Sequence, residues 1–416
     1  MMKRVILSIA AGLIALSFHG AAGAQPADEA LERANRLLGE AILFDGHNDL
    51  PWAIRTYKPA PGDLNRYDLR QRAPGQTDLP RLRAGRVGAQ FWSVYIPGEM
   101  SGSARMQLEQ IDLARRMIAM YPDTFSLAST AADIRKAHRE GKIGSMLGIE
   151  GGHAIENSLG VLRAYYDLGV RYMTLTHNTH TAWADSAAQV PARSHGLSPF
   201  GEEVVREMNR LGMLVDLAHT SPETMEDALR VSRAPVIFSH AAARALCNVP
   251  RNVPDEILRK LPANGGVVMV TFVSGFIDPE VDKVTGPAMM EYNLRARTAK
   301  SDAELDQIFN EVFGKLKIPQ TSIAKVADHI EHIRRVAGVR HVGLGGDYDG
   351  NTLWPAGLED VSGYPKLFAE LIRRGWSDED LKLLAGENVL RVLEEAERVA
   401  AQLQKTTSPS MLQWRE

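Results

Sequence analysis

Cysteine is almost absent: Cys247 is the one cysteine in 416 residues. An intrachain disulfide is therefore excluded, and stability has to come from a buried core. Charge of one sign is also scarce, with 48 Lys+Arg against 51 Asp+Glu for a formal net charge of -3. No basic stripe stands out, which sets nucleic acid aside as a partner. A Gly-x-Ser-x-Gly elbow is missing, and Cys247 sits in no recognised nucleophile motif. Gly343-Leu-Gly-Gly346 has the look of a phosphate loop but lacks the third glycine of a dinucleotide fingerprint. An apolar run of the roughly 20 residues needed to span a bilayer is missing as well.

The chain opens on Met1-Met-Lys-Arg4, runs apolar over residues 5–18 and reaches small residues, Ala22-Gly-Ala24, before Gln25. This is the pattern of a secretory signal peptide over residues 1–24, and it predicts a periplasmic or secreted protein. Cleavage would remove Lys3 and Arg4 and no acid, moving the charge from -3 to -5 (-3 - 2). No cysteine for lipidation follows the cleavage site and no hydrophobic tail closes the chain, so no membrane anchor is expected after cleavage.

No Gly/Ser or Pro-rich linker divides the remaining residues. Strand-like apolar runs at 42–44, 87–95, 143–149, 170–176, 213–217, 235–239, 266–272 and 341–345 alternate with helical patterns at 104–120, 158–168, 202–211, 222–231, 254–261 and 323–337. Thr220-Ser-Pro-Glu223 offers one such helix a cap, a first-turn proline and an early acid. Eight strands with alternating helices predict an α/β protein, a single (β/α)8 TIM barrel over residues 25–404. The excess length falls in a proline- and charge-rich loop at 57–86, in an insertion at 278–320 whose segment 301–317 reads as an exposed helix, and in extra C-terminal helices at 358–374 and 378–404. Residues 405–416 read as a disordered tail.

The informative residues stand where these strands stop. His47 and Asp49 follow the first run, Glu150 the third, His219 the fifth and His240 the sixth. A barrel of this type builds its site at the strand C-termini, so a polar residue there is a functional candidate. His47 and Asp49 are two apart and in extended backbone reach the same side. His219 and His240 end successive strands, and Glu150 is an isolated carboxylate suited to bridging two cations. Imidazole with carboxylate favours zinc, with manganese, cobalt or nickel as alternatives. A pair of such ions would hold a hydroxide and polarise a carbonyl.

Two further strands end in reactive groups. The fourth ends in His177, a candidate donor to an oxyanion. The eighth ends in Gly346-Asp-Tyr-Asp349, where Asp347 and Asp349 compete for a proton-transfer role; the rest of a calcium-loop pattern is missing. His153, His180 and His195 lie in loops that can line the pocket, though none is needed to complete the ligand set. His329 and His332, three apart on a helix, read as a solvated face.

These residues resemble the renal (membrane) dipeptidase family of the amidohydrolase superfamily. Asp45-Gly-His-Asn-Asp-Leu-Pro-Trp52, Gly148-Ile-Glu-Gly-Gly-His153, Tyr172-Met-Thr-Leu-Thr-His177, Asp216-Leu-Ala-His219, Phe238-Ser-His240, Arg251-Asn-Val-Pro-Asp255 and Gly345-Gly-Asp-Tyr-Asp-Gly350 match in order, over roughly residues 41–400. The resemblance implies two zinc ions, one held by His47 and Asp49, the other by His219 and His240, with Glu150 bridging and a hydroxide between them as nucleophile. It implies that His177 contacts the substrate carbonyl, that Asp347 transfers the proton, and that Arg251 binds the C-terminal carboxylate of a dipeptide. Without the resemblance, Arg251 would read as an ordinary surface charge.

Family activity is dipeptide hydrolysis, often tolerating a D-residue at the C-terminal position, with a homodimer as the expected assembly. The chain lacks the lipid anchor and disulfides of the animal members, and its insertion at 278–320 is longer than in the shorter ones. Competing expectations are a related hydrolase of N-acyl amino acids, β-lactams, lactones or phosphoesters and, more remotely, a non-catalytic binding protein.

Overall fold

The computed structural model describes residues 28–98, 103–296, 298–299 and 301–415, so the expected signal segment lies outside the described residues. Nine strands form one parallel sheet: β1 (Leu43–Asn48), β2 (Val87–Ser93), β3 (Phe125–Leu127), β4 (Ile143–Glu150), β5 (Val170–Thr174), β6 (Leu214–Asp216), β7 (Ile237–Ala241), β8 (Val267–Val270) and β9 (Val342–Leu344). Their order is β2-β1-β9-β8-β7-β6-β5-β4-β3, and β2 also pairs with β4. That second pairing sets Ala89 opposite Gly144 and Ser93 opposite Gly148. It closes eight strands into a ring, the (β/α)8 barrel expected from the sequence. The sequence did not announce β3. It has only three residues, pairs with Ile143, Gly144 and Ser145 at the start of β4, and stays outside the ring.

Alternation within the strands builds two apolar layers. Phe44, Phe91, Met146, Tyr172 and Met269 belong to one cluster. Their chain neighbours Leu43, Trp92, Leu147, Met173 and Val268 belong to another. Successive side chains of a strand point to opposite faces, so the first set fills the barrel and the second packs beneath the helices. The C-terminal helix Asn388–Thr406 contributes Val389, Leu393 and Ala396 to the inner set. It lies at the strand starts, where Val389 approaches Gly343. The opposite rim, where parallel strands all end, is left for polar loops.

Helix starts follow the sequence signals. The helix Pro222–Val231 is capped by Ser221, whose side chain accepts from the Thr224 N–H. The stretch at 254–261 is instead two short turns, Asp255–Leu258 and Leu261–Asn264. The segment 57–86 is better packed than a loop reading suggests, with Tyr67 and Leu69 in the core and a helix at Leu79–Ala84. The insertion folds into two helices, Pro279–Ala296 and Asp302–Phe313. Ala288, Ile308 and Val312 form a small core between them, so the second helix is exposed on one side only. The segment expected as a disordered tail touches two helices: the Ser410 carbonyl accepts from Arg163 of the helix Leu159–Asp167, the Ser410 N–H donates to Glu207 of the helix Pro199–Leu211, and Trp414 packs edge-on against Phe200 of the latter.

His329 and His332 correct the sequence reading. Both are buried on the helix Ile323–Ala337. His329 Nδ1 accepts the Ala243 N–H at 3.0 Å and its Nε2 lies 3.1 Å from the Ile277 carbonyl. His332 Nε2 pairs with Asp255 Oδ1 at 2.7 Å. Loops after β7 and β8 cover this helix, which spacing alone did not reveal.

Candidate active site

The strand ends bring His47, Asp49, Glu150, His177, His219, His240 and Asp347 to one rim of the barrel. Glu150, the last residue of β4, is the centre. Its Oε2 lies 3.4 Å from His47 Nε2. Its Oε1 lies 2.9 Å from His219 Nε2 and 3.3 Å from His240 Nε2, and His177 Nε2 stands 3.8 Å away. Asp49 Oδ2 is 3.3 Å from His47 Nε2, and Asp347 Oδ1 3.9 Å from it. Three overlapping trios result, His47/Glu150/His240, Glu150/His177/His219 and His47/Asp49/Asp347, each with ligand atoms within 4.8 Å of one another.

The donor set fits a divalent metal. Five of these groups are imidazole nitrogens and carboxylate oxygens at most 8 % exposed. His47 Nε2 and Asp49 Oδ1 are buried without a hydrogen-bond partner. Burying such atoms unpaired is costly, and a cation would satisfy them. His219 and Asp347 adopt left-handed backbone, φ +63° and +66°. Non-glycine residues are uncommon there, and such strain gathers at functional sites.

Charge in the cluster is tightly coupled. Burial pushes the His219 and His240 imidazoles well below the ordinary histidine range; next come Arg251 for His219, and His47 and then Arg251 for His240. Both imidazoles are thereby held in the neutral form. Burial also opposes charge on His47, but Tyr172, Asp49 and Glu150 outweigh it and hold it well above that range. Asp347 is pushed well above the usual carboxylate range by burial, with Asp49 and Glu150 adding to the effect. Burial acts on Glu150 in the same direction, but the histidines around it win and hold it well below.

Two buried acids that the sequence reading passed over hold the backbone around these candidate ligands. Asp45 Oδ1 accepts the His47 N–H and the Gln90 side chain, at 2.8 and 2.7 Å. Its Oδ2 accepts the Gly346 N–H at 2.8 Å and the Tyr364 hydroxyl. One carboxylate thus ties the backbone of His47 to that before Asp347. Asp216 does the equivalent at β6 and β7, accepting the Ala218 and Ser239 N–H groups and the Thr174 and Ser239 hydroxyls. His47 Nδ1 meets the Tyr172 hydroxyl at 2.8 Å, rising from the barrel interior. An acid shortly before a histidine, two residues ahead in Asp45/His47 and three in Asp216/His219, was the available signal.

Arg251 is 7 % exposed. Its Nη2 donates to the His240 carbonyl at 2.7 Å, while Nε and Nη1 have no partner. A buried guanidinium with free donors beside the metal cluster suits a carboxylate. Trp52 and Tyr95 stand edge to face at 5.1 Å, and Tyr95 lies 5.0 Å from His177, forming an aromatic wall. Of the loop histidines, His153 touches the Ile96 carbonyl and is lowered to about 4 by burial and then by His177. His180 lines a side cavity of about 440 Å³ with Ser186 and Arg244. His195 is exposed.

A closed parallel barrel with imidazoles and carboxylates converging on its C-terminal rim is the framework of a metal-dependent hydrolase. The chain belongs to the membrane dipeptidase family, peptidase family M19, which it matches over residues 31–407. It is a metallopeptidase of that family. The fold is similar to that of the probable dipeptidase PvdM from Pseudomonas aeruginosa, at 24% identity and a TM-score of 0.76, covering 89% of this chain and 99% of that one. It is also similar to a metallo peptidase from Rhodobacter sphaeroides liganded with a phosphinate mimic of the dipeptide L-Ala-D-Ala, at 24% identity and a TM-score of 0.69, covering 86% of this chain and 100% of that one. Among the described residues, no helix is long and apolar enough to cross a membrane.

Proposed function

We propose that the protein is an exported dipeptidase holding two zinc ions, which cleaves the amide bond of dipeptides and tolerates a D-residue at the C-terminal position. The observation that carries this reading is the division of Glu150, with Oε2 toward His47 and Oε1 toward His219 and His240. A carboxylate shared in this way would suit a pair of cations. His47 and Asp49 would hold one, His219 and His240 the other. Bound there, the cations would supply an activated water and a polarised carbonyl.

The chain's own residues supply the rest. His177, beside Glu150 but outside the ligand set, donates to the carbonyl oxygen as negative charge develops on it. Asp347, facing His47, takes the proton of the attacking water and passes it to the leaving amine. Arg251 receives the substrate carboxylate on Nε and Nη1. Because that clamp reads a carboxylate rather than the chirality beside it, the L-Ala-D-Ala mimic on the Rhodobacter relative supports a D-residue as a substrate. Two copies of the chain are the expected assembly.

The deciding experiment measures metal by mass spectrometry in purified protein, with hydrolysis of Gly-D-Ala and Ala-Ala before and after chelation. Two zinc ions per chain, with activity lost to the chelator and restored by zinc, is the expected result. Two ions without dipeptide cleavage would transfer the site to another amide or ester. Sedimentation and N-terminal sequencing of exported protein test the assembly and the signal.

A further inference from the structure

Asp216 touches no ligand atom, yet its hydrogen bonds determine which nitrogen of His240 carries the proton. The carboxylate is completely buried. Its Oδ1 faces two donors that cannot turn round, the Ser239 N–H at 2.8 Å and the Ala218 N–H at 3.1 Å. Its Oδ2 faces two donors that can, the Ser239 hydroxyl at 2.6 Å and the Thr174 hydroxyl at 2.5 Å. Ser239 Oγ also lies 2.9 Å from His240 Nδ1.

Burial pushes the Asp216 carboxyl up, while the four donors that converge on it favour the ionised form, and an ionised carboxylate only accepts. The Ser239 hydroxyl therefore spends its single proton on Asp216 and presents a lone pair to His240. His240 Nδ1 must be the donor, which leaves Nε2 bare. That bare nitrogen is the one aimed at Glu150 Oε1 and at His219 Nε2, 3.0 Å away. His47 receives its Nδ1 contact from a different source, the Tyr172 hydroxyl.

We propose that Asp216 is a positioning residue that sets the His240 tautomer through Ser239, and so controls metal affinity at the His219/His240 pair without controlling it at the His47/Asp49 pair. The split between two pairs rests on the two-cation reading given above. The tautomer does not.

Asp216→Asn tests it sharply, because the geometry permits one amide orientation. The two backbone N–H groups require the amide oxygen in the Oδ1 place. The NH2 group then faces the hydroxyls. Thr174 can redirect its proton to the Ile149 carbonyl, already 3.3 Å away. Ser239 has only His240 Nδ1 to turn to, and donating there moves the imidazole proton to Nε2, where a cation would bind.

The experiment reads the tautomer from ¹⁵N-histidine spectra of full-length protein stripped of metal, and counts ions by mass spectrometry in the same protein reloaded with zinc. In D216N, His240 should switch from the Nδ1–H to the Nε2–H form. Affinity for one ion should fall about 10–100-fold, the usual effect of removing an outer partner, while the other ion and the His47 signals stay unchanged. S239A, which leaves Nδ1 without a partner, should lose the same ion. An unchanged His240 tautomer in D216N, or equal loss of both ions, overturns the proposal. Wild-type protein holding fewer than two ions would overturn the two-cation reading and with it the separate control of the pairs; the tautomer comparison still decides whether Asp216 acts on His240.

Discussion

Asp347 and Asp349 share left-handed backbone, φ +66° and +63°, but serve different parts of the molecule. Asp347 Oδ1 faces His47 Nε2 at 3.9 Å. Asp349 Oδ1 accepts the Gln76 N–H at 2.8 Å, and its own N–H donates to the Gln76 side chain at 2.9 Å. Asp347 stands in the cluster and Asp349 fastens the 57–86 segment, and this difference in contacts favours Asp347 as the proton carrier. Asp347→Asn should lower kcat by about 10²–10⁴-fold, the usual range for a lost acid–base group, with metal content unchanged. Full turnover in that variant would remove Asp347 from the mechanism.

Arg251 gives a prediction about substrates. Arg251→Ala should raise KM for free dipeptides about 10–100-fold, the worth of a hydrogen bond to a charged group. C-terminally amidated dipeptides, which lack the carboxylate, should be affected much less. An equal effect on both classes would mean that the guanidinium only supports the His240 backbone through its bond to that carbonyl.

Gly350 is exposed, yet a Cβ there would lie 2.2 Å from Asp49 Oδ2 and 2.7 Å from Asp347 Oδ1. Gly350→Ala should therefore displace a predicted metal ligand and the predicted proton carrier together. Activity should drop by more than tenfold, about 1.4 kcal/mol in barrier height, while thermal stability changes little. A variant with wild-type kcat/KM would show that both carboxylates have room to shift.

The buried His329 predicts a pH effect on stability. Burial lowers it from 6.5 to about 4. Below pH 6.5 the unfolded chain takes up a proton that the native imidazole refuses until about pH 4. Its stabilising contribution is therefore complete above pH 6.5 and is lost as the pH falls toward 4, by roughly 3 kcal/mol at most. His329→Gln should be less stable than wild type near pH 7.5, and the gap should narrow by pH 4.5. Urea unfolding across that range measures it, and a gap that does not change with pH would contradict the assignment.

Much of this was legible because a parallel barrel concentrates its signal. Buried strands read as short apolar runs, and the groups that end them, from His47 to Asp347, stand out against that background. What escaped was set by tertiary packing. β3 is too short to show a pattern, and only its docking on β4 makes it a strand. His329 and His332 share a helix face with apolar neighbours, but their spacing did not reveal the loops that cover them. Asp45 and Asp216 sat inside recognisable motifs, yet an acid that only accepts backbone and hydroxyl protons looks in sequence like any other acid. Arg251 carried no signal apart from family resemblance, because its burial depends on the loop after β7.

The reciprocal bonds between Gln76 and Asp349 also bear on engineering. They join the segment between β1 and β2 to the turn after β9, so the two are not independent modules. A chimera that takes the 57–86 segment from another barrel would leave Asp349 facing a mismatched backbone, two residues from Asp347. Transplants that carry Gln76 and the 346–350 turn together are the ones that keep both segments in register.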